Sequence, residues 1–412
     1  MSPDLIAALV KIALLIGGLM TAAAYLVLLE RWIAAWVQDR KGPNRVGIPL
    51  TDIKLFGLGQ PLADGLKFIF KEEYTPAHVD KALFVLAPLV ILAAALAIFA
   101  VIPFGSVVPD FDIWGYKFTG DAVNLVVAPG VDVGLIYVFA LSSIAVYGVI
   151  LGGWSSNNKY SFIGGLRSSA QLIAYEIPMG LGILGIVLST GSLRLDAIIG
   201  SQAQSGWWNA MTQPLGLLVF TVAAFAEAAR LPFDLPEAEQ ELIGGYHTEY
   251  AGMKLILFLI AEFLHMITAA LLIVILFFGG WHFWGLTGAD DQVTWLGALL
   301  RIFVLVTKFM LVVLFFMLVR WSWPRFRFDQ LMSLAWKVML PLGLLNLATM
   351  AILVELEANG TLPVGSQGTF ALVGWGVMLV GWIGSALVAP LQTDNRPRPG
   401  AGGLLEPERL LA

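Results

Sequence analysis

The chain has 412 residues, 58% of them hydrophobic and only 13% charged, about half the roughly 25% charged fraction of a soluble domain. At about 20 apolar residues per span, that leaves room for nine or ten membrane-crossing helices and none for a large soluble domain beside them. The absence of cysteine excludes disulfides and thiolate-ligated iron–sulfur clusters, so any electron carrier belongs to another chain. His78, His247, His265 and His282 form no HxxxH or HxH pair, which argues against a helix-borne metal or haem site. The net charge of −5 decides little, because in a membrane protein the side on which charges fall matters more than their sum.

Met1 to Ala7 lacks the basic n-region and small-residue cleavage site of a signal peptide, so the first span is expected to be retained. Apolar windows bounded by charge, Pro or Gly predict nine spans, near 5–29, 81–104, 131–153, 170–190, 212–230, 254–281, 297–319, 336–355 and 369–390. An all-α membrane protein follows, one polytopic domain over residues 1–390 with a tail at 391–412. Segments 30–81, 154–169, 230–254, 320–337 and 391–412 hold 8, 2, 2, 4 and 3 of the 24 Lys and Arg. By the positive-inside rule these are cytoplasmic, with the N-terminus outside and the C-terminus and its tail inside. The opposite loops hold little more than Lys117 and Arg194, and Lys11, Arg301 and Lys308 fall within predicted helices.

Between the first two windows, Leu62, Leu66, Ile69 and Phe70 share one helical face and Asp64, Lys67 and Lys71 another. This pattern fits an interfacial amphipathic helix or a cytoplasmic helix packed on a neighbouring subunit, and the two are compatible. The Gly-rich 105–130 loop reads as an exterior excursion with little structure of its own. Gly180, Gly182 and Gly185 spell GxGxxG but follow no strand, so close helix packing is the reading there.

Ionisable groups inside spans cost about 2.5–3.5 kcal/mol each on insertion scales and need a partner, a wet cavity or a function. Glu176 stands two residues before Pro178, whose missing N–H strips the Ala174 carbonyl of its helical donor and opens polar backbone beside the acid. Glu227 and Arg230, spaced i, i+3, are placed to pair. Glu262 and His265 repeat that spacing where a short carboxylate cannot snorkel, and Lys308 lies mid-span, able to serve as a counter-ion or to reach a polar cavity. The densest signal is RLPFDLPEAEQELIGGYHTEY, Arg230 to Tyr250, in which Asp234, Glu237, Glu239, Glu241 and Glu249 face one arginine. Interleaved prolines and leucines mark this loop as partly buried, and crowded carboxylates raise one another's pKa toward neutrality.

These strings resemble the membrane subunit of respiratory complex I known as the H subunit in bacteria and ND1 in mitochondria. The resemblance rests on Glu30-Arg31, RKGPNRVG at Arg40–Gly47, QPLADGLKFIFKEE at Gln60–Glu73 and GWSSNNKYSFIGGLRSSAQLIAYE at Gly153–Glu176. It continues through AEAARLPFDLPEAEQELIGGYHTEY from Ala226, AEF around Glu262 and RWSWPRFRFDQLMSLAWK at Arg320–Lys337. It implies a subunit of the proton-pumping NADH:quinone oxidoreductase in a plasma (inner) membrane. That subunit forms much of the quinone chamber and carries no complete active site of its own. Quinone, ubiquinone or menaquinone, is the implied substrate. FMN and iron–sulfur clusters are implied on partner subunits, no cofactor on this chain, and the partners are redox-arm and antiporter-like subunits and lipids, not nucleic acid.

Carried over by position, Glu30, Arg31, Arg40 and Lys41 resemble residues of the chamber mouth. Asp234, Glu237, Glu239 and Glu241 resemble the acidic loop that senses quinone reduction, with Arg230 as counter-charge. Glu176, Glu227 and Glu262, with Lys308, resemble the start of a buried proton path. Members commonly have eight helices, so 369–390 adds a ninth, and the third window offers only Asp132 at its edge. The equivalent subunit of a membrane-bound hydrogenase or formate hydrogenlyase shares part of this pattern. A cation/proton antiporter would need inverted repeats, and none is found.

Overall fold

A computed structural model describes residues 3–47, 54, 56–105, 109, 111–113, 116–118, 125–234, 243–287, 294–363 and 365–388. Glu237, Glu239, Glu241 and the tail 391–412 lie outside the described residues. The first half of the chain contains α1 (Pro3–Val37), α2 (Gln60–Phe70), α3 (Lys81–Ile98), the strands β1 (Phe111–Ile113) and β2 (Tyr116–Phe118), α4 (Gly134–Ser155) and α5 (Lys159–Thr190). The second half contains α6 (Leu195–Ser205), α7 (Asn209–Thr212), α8 (Pro214–Glu227), a one-turn 3-10 helix (Gly245–His247), α9 (Gly252–Phe277) and α10 (Trp295–Ser322). It closes with α11 (Phe328–Ala358), interrupted by a π-helical turn at Ala335–Met339, and α12 (Gln367–Val388).

Among the described residues, eight helices are long and apolar enough to cross a membrane. They account for eight of the nine predicted windows, and the remaining one forms a shorter apolar helix. The window 212–230 forms α8, whose 14 residues reach about 21 Å at 1.5 Å per residue, against a hydrocarbon core of about 30 Å. Gln213, at φ −133°, breaks α8 from α7, and the helix ends before Ala229, which takes a left-handed φ of 46°. The 105–130 loop also departs from expectation. It contains an antiparallel pairing of Phe111 with Phe118 through Ile113 with Tyr116.

Two helices run past the charged residues that bound their windows. α1 continues to Val37 because Ile33 and Ala35 are buried beyond Glu30. α5 starts at Lys159, where the Asn158 side chain caps the Tyr160 amide at 3.0 Å, and its polar Ser161, Ser168 and Gln171 face protein rather than lipid. It ends at Gly191, whose φ of 66° closes the helix as its N–H donates to Val187 O at 2.8 Å.

The hub is α9, buried without a break from Met266 to Phe277, a stretch apolar on nearly every face. It packs against α1, α3, α8 and α10. Its C-terminal carbonyls are sunk among neighbours and would be orphaned without donors. Gln202 Nε2 donates to Ile275 O at 3.0 Å and Asn209 Nδ2 to Leu276 O at 2.8 Å. The sequence reading assigns no helix to 191–211, yet α6 and α7 there supply these two donors. Of the GxGxxG glycines, Gly182 meets Gly216 and Phe220 of α8, Gly185 meets Gln213 and Asn346, and Gly180 faces open space. α12 packs closely too, since a Cβ on Gly374 would lie 2.4 Å from Thr212 O.

Candidate functional site

A cavity of about 1020 Å³ opens between α1, the 40–46 segment, α2, α9 and α10. Glu30, Arg31, Arg40, Lys41, Arg230 and Glu262, all singled out from sequence, line it together with Arg45 and Arg320. At its base the Glu30 carboxylate is buried between two guanidinium groups, Arg320 Nη1 at 2.5 Å and Arg230 Nη1 at 3.5 Å. A buried carboxylate needs such partners to hold its charge, and each arginine in turn needs the carboxylate. Arg230 also lies over the Phe263 ring, 4.3 Å from its centroid.

Backbone packing folds the 40–46 segment onto α1. Trp32 Nε1 donates to Pro43 O at 3.0 Å, and a Cβ on Gly42 would meet the Trp32 ring at 2.5 Å, so only glycine fits. Arg31 ties α1 to α2 through Asp64 at 2.6 Å, and Gln60 donates to the same carboxylate. The apolar face of α2, Leu62, Leu66, Ile69 and Phe70, remains exposed, as the amphipathic reading expects. The described lining carries six basic side chains against Glu30 and Glu262, a field that favours a ligand on which negative charge develops.

A second, smaller cavity of about 50 Å³ lies between α4, α5, α8 and α9, roughly room for a few waters. Glu176, Glu227, Glu262 and His265 line it with Tyr246. Ser142 donates to Glu227 and Ser143 to Glu176. Sequence reasoning missed these two hydroxyls because it looked for an acid in the third span, whereas α4 contributes the donors that hold acids of its neighbours. Pro178 sits inside α5 beside Glu176. Glu262 lines both cavities, and its Oε1 accepts from Tyr246 Oη at 3.1 Å and stands 3.7 Å from His247 Nε2.

The expected Glu227–Arg230 pair is not formed. The i, i+3 geometry needs a continuous helix, and the turn at Ala228–Ala229 sends Arg230 into the large cavity while Glu227 stays in the small one. Asp234 is buried with Arg325 Nη2 at 3.5 Å and lines neither cavity. Gln171 anchors this stretch by donating to Ala226 O and Phe233 O, each at 2.9 Å. Lys308 stands apart from the acids. Its ammonium donates to Phe278 O (2.7 Å), Gly280 O (3.0 Å) and His282 O (2.5 Å), and rests 4.6 Å from the Trp208 ring. Arg320, Ser142, Ser143, Tyr246 and His247 are the site residues that sequence reasoning did not select. Arg320 lies within a quoted motif, but nothing in the motif says that its partner is Glu30.

Fold and site together define a multi-pass membrane protein whose basic cavity adjoins a buried carboxylate cluster through one shared glutamate. The family model described as NADH dehydrogenase matches residues 10–351. The H subunit of the NADH-quinone oxidoreductase of Protochlamydia amoebophila is 47% identical over 327 residues, 79% of this chain and 91% of that protein. The corresponding H subunit of Leptospira biflexa is 46% identical over 337 residues, 81% and 91% of the two chains. The NADH-quinone oxidoreductase subunit 8 of Rhodothermus marinus is 43% identical over 357 residues, 83% and 96% of the two. The chain belongs to the NADH dehydrogenase family, and α12 follows the matched segment.

Proposed function

We propose that this chain is the membrane subunit of a proton-pumping NADH:quinone oxidoreductase that forms much of the quinone chamber and starts the proton path. The observation that carries this reading is the position of Glu262, which lines the large basic cavity on one side and the acid cluster on the other. Quinone is the substrate. Its reduction consumes two electrons and two protons, and the negative charge that appears meanwhile is stabilised by the basic lining. FMN and iron–sulfur clusters sit on partner subunits of the redox arm, and this chain holds no cofactor. Antiporter-like membrane subunits receive the protons.

Glu30, Arg31, Arg40, Lys41 and Arg230 act at the chamber, Asp234, Glu237, Glu239 and Glu241 form the loop that responds to the reduced head group, and Glu176, Glu227 and Glu262 pass protons onward. Lys308, bonded to backbone carbonyls, is assigned to closing the end of α9 instead. The protein resides in a plasma (inner) membrane with its N-terminus outside and its C-terminus inside, as the Lys and Arg distribution directs.

The test is purification from native membranes in mild detergent, with inhibitor-sensitive NADH:quinone assays on Glu176→Gln and Glu241→Gln. Co-migrating flavin and iron–sulfur subunits are expected, with quinone reduction and pumping depressed together while artificial-acceptor reduction is spared. Co-purification with a nickel hydrogenase and no quinone activity would move the assignment to hydrogenase relatives, and full quinone activity in both variants would refute the relay.

A further inference from the structure

Two bases inside spans, Lys11 and Arg301, line neither cavity of the site. Both lie in the first third of helices, α1 and α10, that the Lys and Arg distribution directs inward from the outer side. A third cavity of about 500 Å³ opens there, between α1, α9, α10 and the stretch Leu125–Val127, within the size range of sites for small ligands. Apart from Lys11 every residue that lines it is apolar, with Leu15 and Leu19 from α1, Ile267 and Leu271 from α9, and Leu305 and Phe309 from α10. Lys11 Nζ lies 3.5 Å from Val126 O. Arg301, one turn before Leu305 and on the same face of α10, donates to Thr287 O at 3.2 Å.

The groove opens sideways. Leu14 and Val306, both of its lining, are 71% and 49% exposed, and a Cβ on Gly18 would meet no atom within 4 Å. Apolar cavities stay dry, so in a bilayer the filling is hydrocarbon. That hydrocarbon does not come down from the basic cavity. The two cavities share no lining residue, and the seam between them is packed shut, with Ala23 and Leu26 of α1 and Leu264 and Met266 of α9 all buried. A chain entering from the side, with a cation at the outer end of its groove, belongs to an amphiphile with a negative head group. Lysine and arginine stems reach outward to such a group while their methylenes stay in apolar surroundings.

We propose that this groove seats one acyl chain of an anionic phospholipid of the outer leaflet, with Lys11 and Arg301 turned to its phosphate. The chain fills the gap between the outer halves of α1 and α10, and so braces the helix that carries Glu30 and Arg31 at its other end.

The experiment loads native membranes of the parent, Lys11→Gln and Gly18→Leu with phosphatidylglycerol that bears a photoactivatable acyl chain. After irradiation the intact assembly is purified in mild detergent and its labelled peptides are mapped. Label is expected on residues 14–22 and 302–310. Unlabelled phosphatidylglycerol should displace it at about five-fold lower concentration than phosphatidylcholine for one basic group engaged. Lys11→Gln should shrink that preference by about the same factor. Gly18→Leu, whose new side chain enters open space and fills the groove, should lose label at these residues and keep it elsewhere on the chain. Equal displacement by the two phospholipids in the parent would make the occupant bulk lipid. Displacement by a long-tailed quinone alone would make it the substrate tail, and cross-links to a neighbouring subunit in place of lipid would make it protein. Each of these results overturns the assignment, as does unchanged label in Gly18→Leu. None of them passes through quinone turnover, so the outcome is independent of the function proposed above.

Discussion

At its C-terminal end α9 meets Lys308, Gln202 and Asn209, whose donors are saturated by backbone carbonyls at 2.5 to 3.0 Å. Nearer its N-terminal end the same helix carries Glu262, which lines both cavities, and His265, which lines the smaller one with Tyr246, Glu176 and Glu227. Both ends bury ionisable groups, but their partners differ in kind. A carbonyl belongs to the fold and cannot change its charge, so Lys308 is locked. A carboxylate or imidazole can exchange protons, and the cavities beside Glu262 give them somewhere to go. Polar residues in a membrane interior thus divide by whether their partners are backbone or titratable.

The largest effect expected from breaking this contrast is at Glu30. Glu30→Gln leaves Arg230 and Arg320 sharing no counter-charge, and loss of one partner of a buried pair costs about 3–5 kcal/mol. Inhibitor-sensitive quinone turnover and thermal stability of the complex should fall together. Lys308→Met should cost about 3 kcal/mol, because buried acceptors lose their donor. Thermal unfolding of the solubilised complex reads that loss, while turnover per assembled complex stays at the parental level. A turnover defect at unchanged stability would place Lys308 with the acids after all.

Smaller effects should follow at α4. Ser143→Ala removes the hydroxyl donor from Glu176, a loss of about 1 kcal/mol for one hydrogen bond, and should alter protons pumped per electron pair more than assembly. The smallest is at the exposed Arg194–Asp196 pair, 2.7 Å apart. The Arg194 hydrogen bond holds the Asp196 carboxyl below the usual range. Its stabilisation is therefore present above the ordinary carboxylate pKa and is lost as pH falls through the lowered folded value. Asp196→Asn should cost less than about 1 kcal/mol at pH 7, with the difference from the parent vanishing in unfolding scans once the pH lies below that lowered value.

Much of the site was legible because insertion into lipid makes charge expensive. Glu262 stood out inside an apolar window and Arg230 at the end of one, whereas Glu30, Arg31, Arg40 and Lys41 were singled out by the family resemblance, and all six converge on one cavity. Glu176 and Glu227 converge on the other. Arg320 was hidden because it looks like an ordinary cytoplasmic-side base, and Ser142 and Ser143 because hydroxyls are cheap in helices and carry no positional signal. The Glu227–Arg230 pairing failed where a local spacing rule assumed continuation of a helix that stops at Glu227.

Sequence alone determined the all-α membrane class, the position of nearly every apolar helix, the amphipathic α2 and the inventory of costly charges, since hydropathy and burial cost are local sums over residues. Tertiary structure alone decided which charge meets which. It set Glu30 between two arginines, Arg230 and Arg320, that are far away in the chain, and left α8 short because α7 breaks off at Gln213. It also gave Lys308 to backbone carbonyls rather than to an acid. Those outcomes depend on helix termini and on where non-neighbouring helices cross, which no window of one sequence contains.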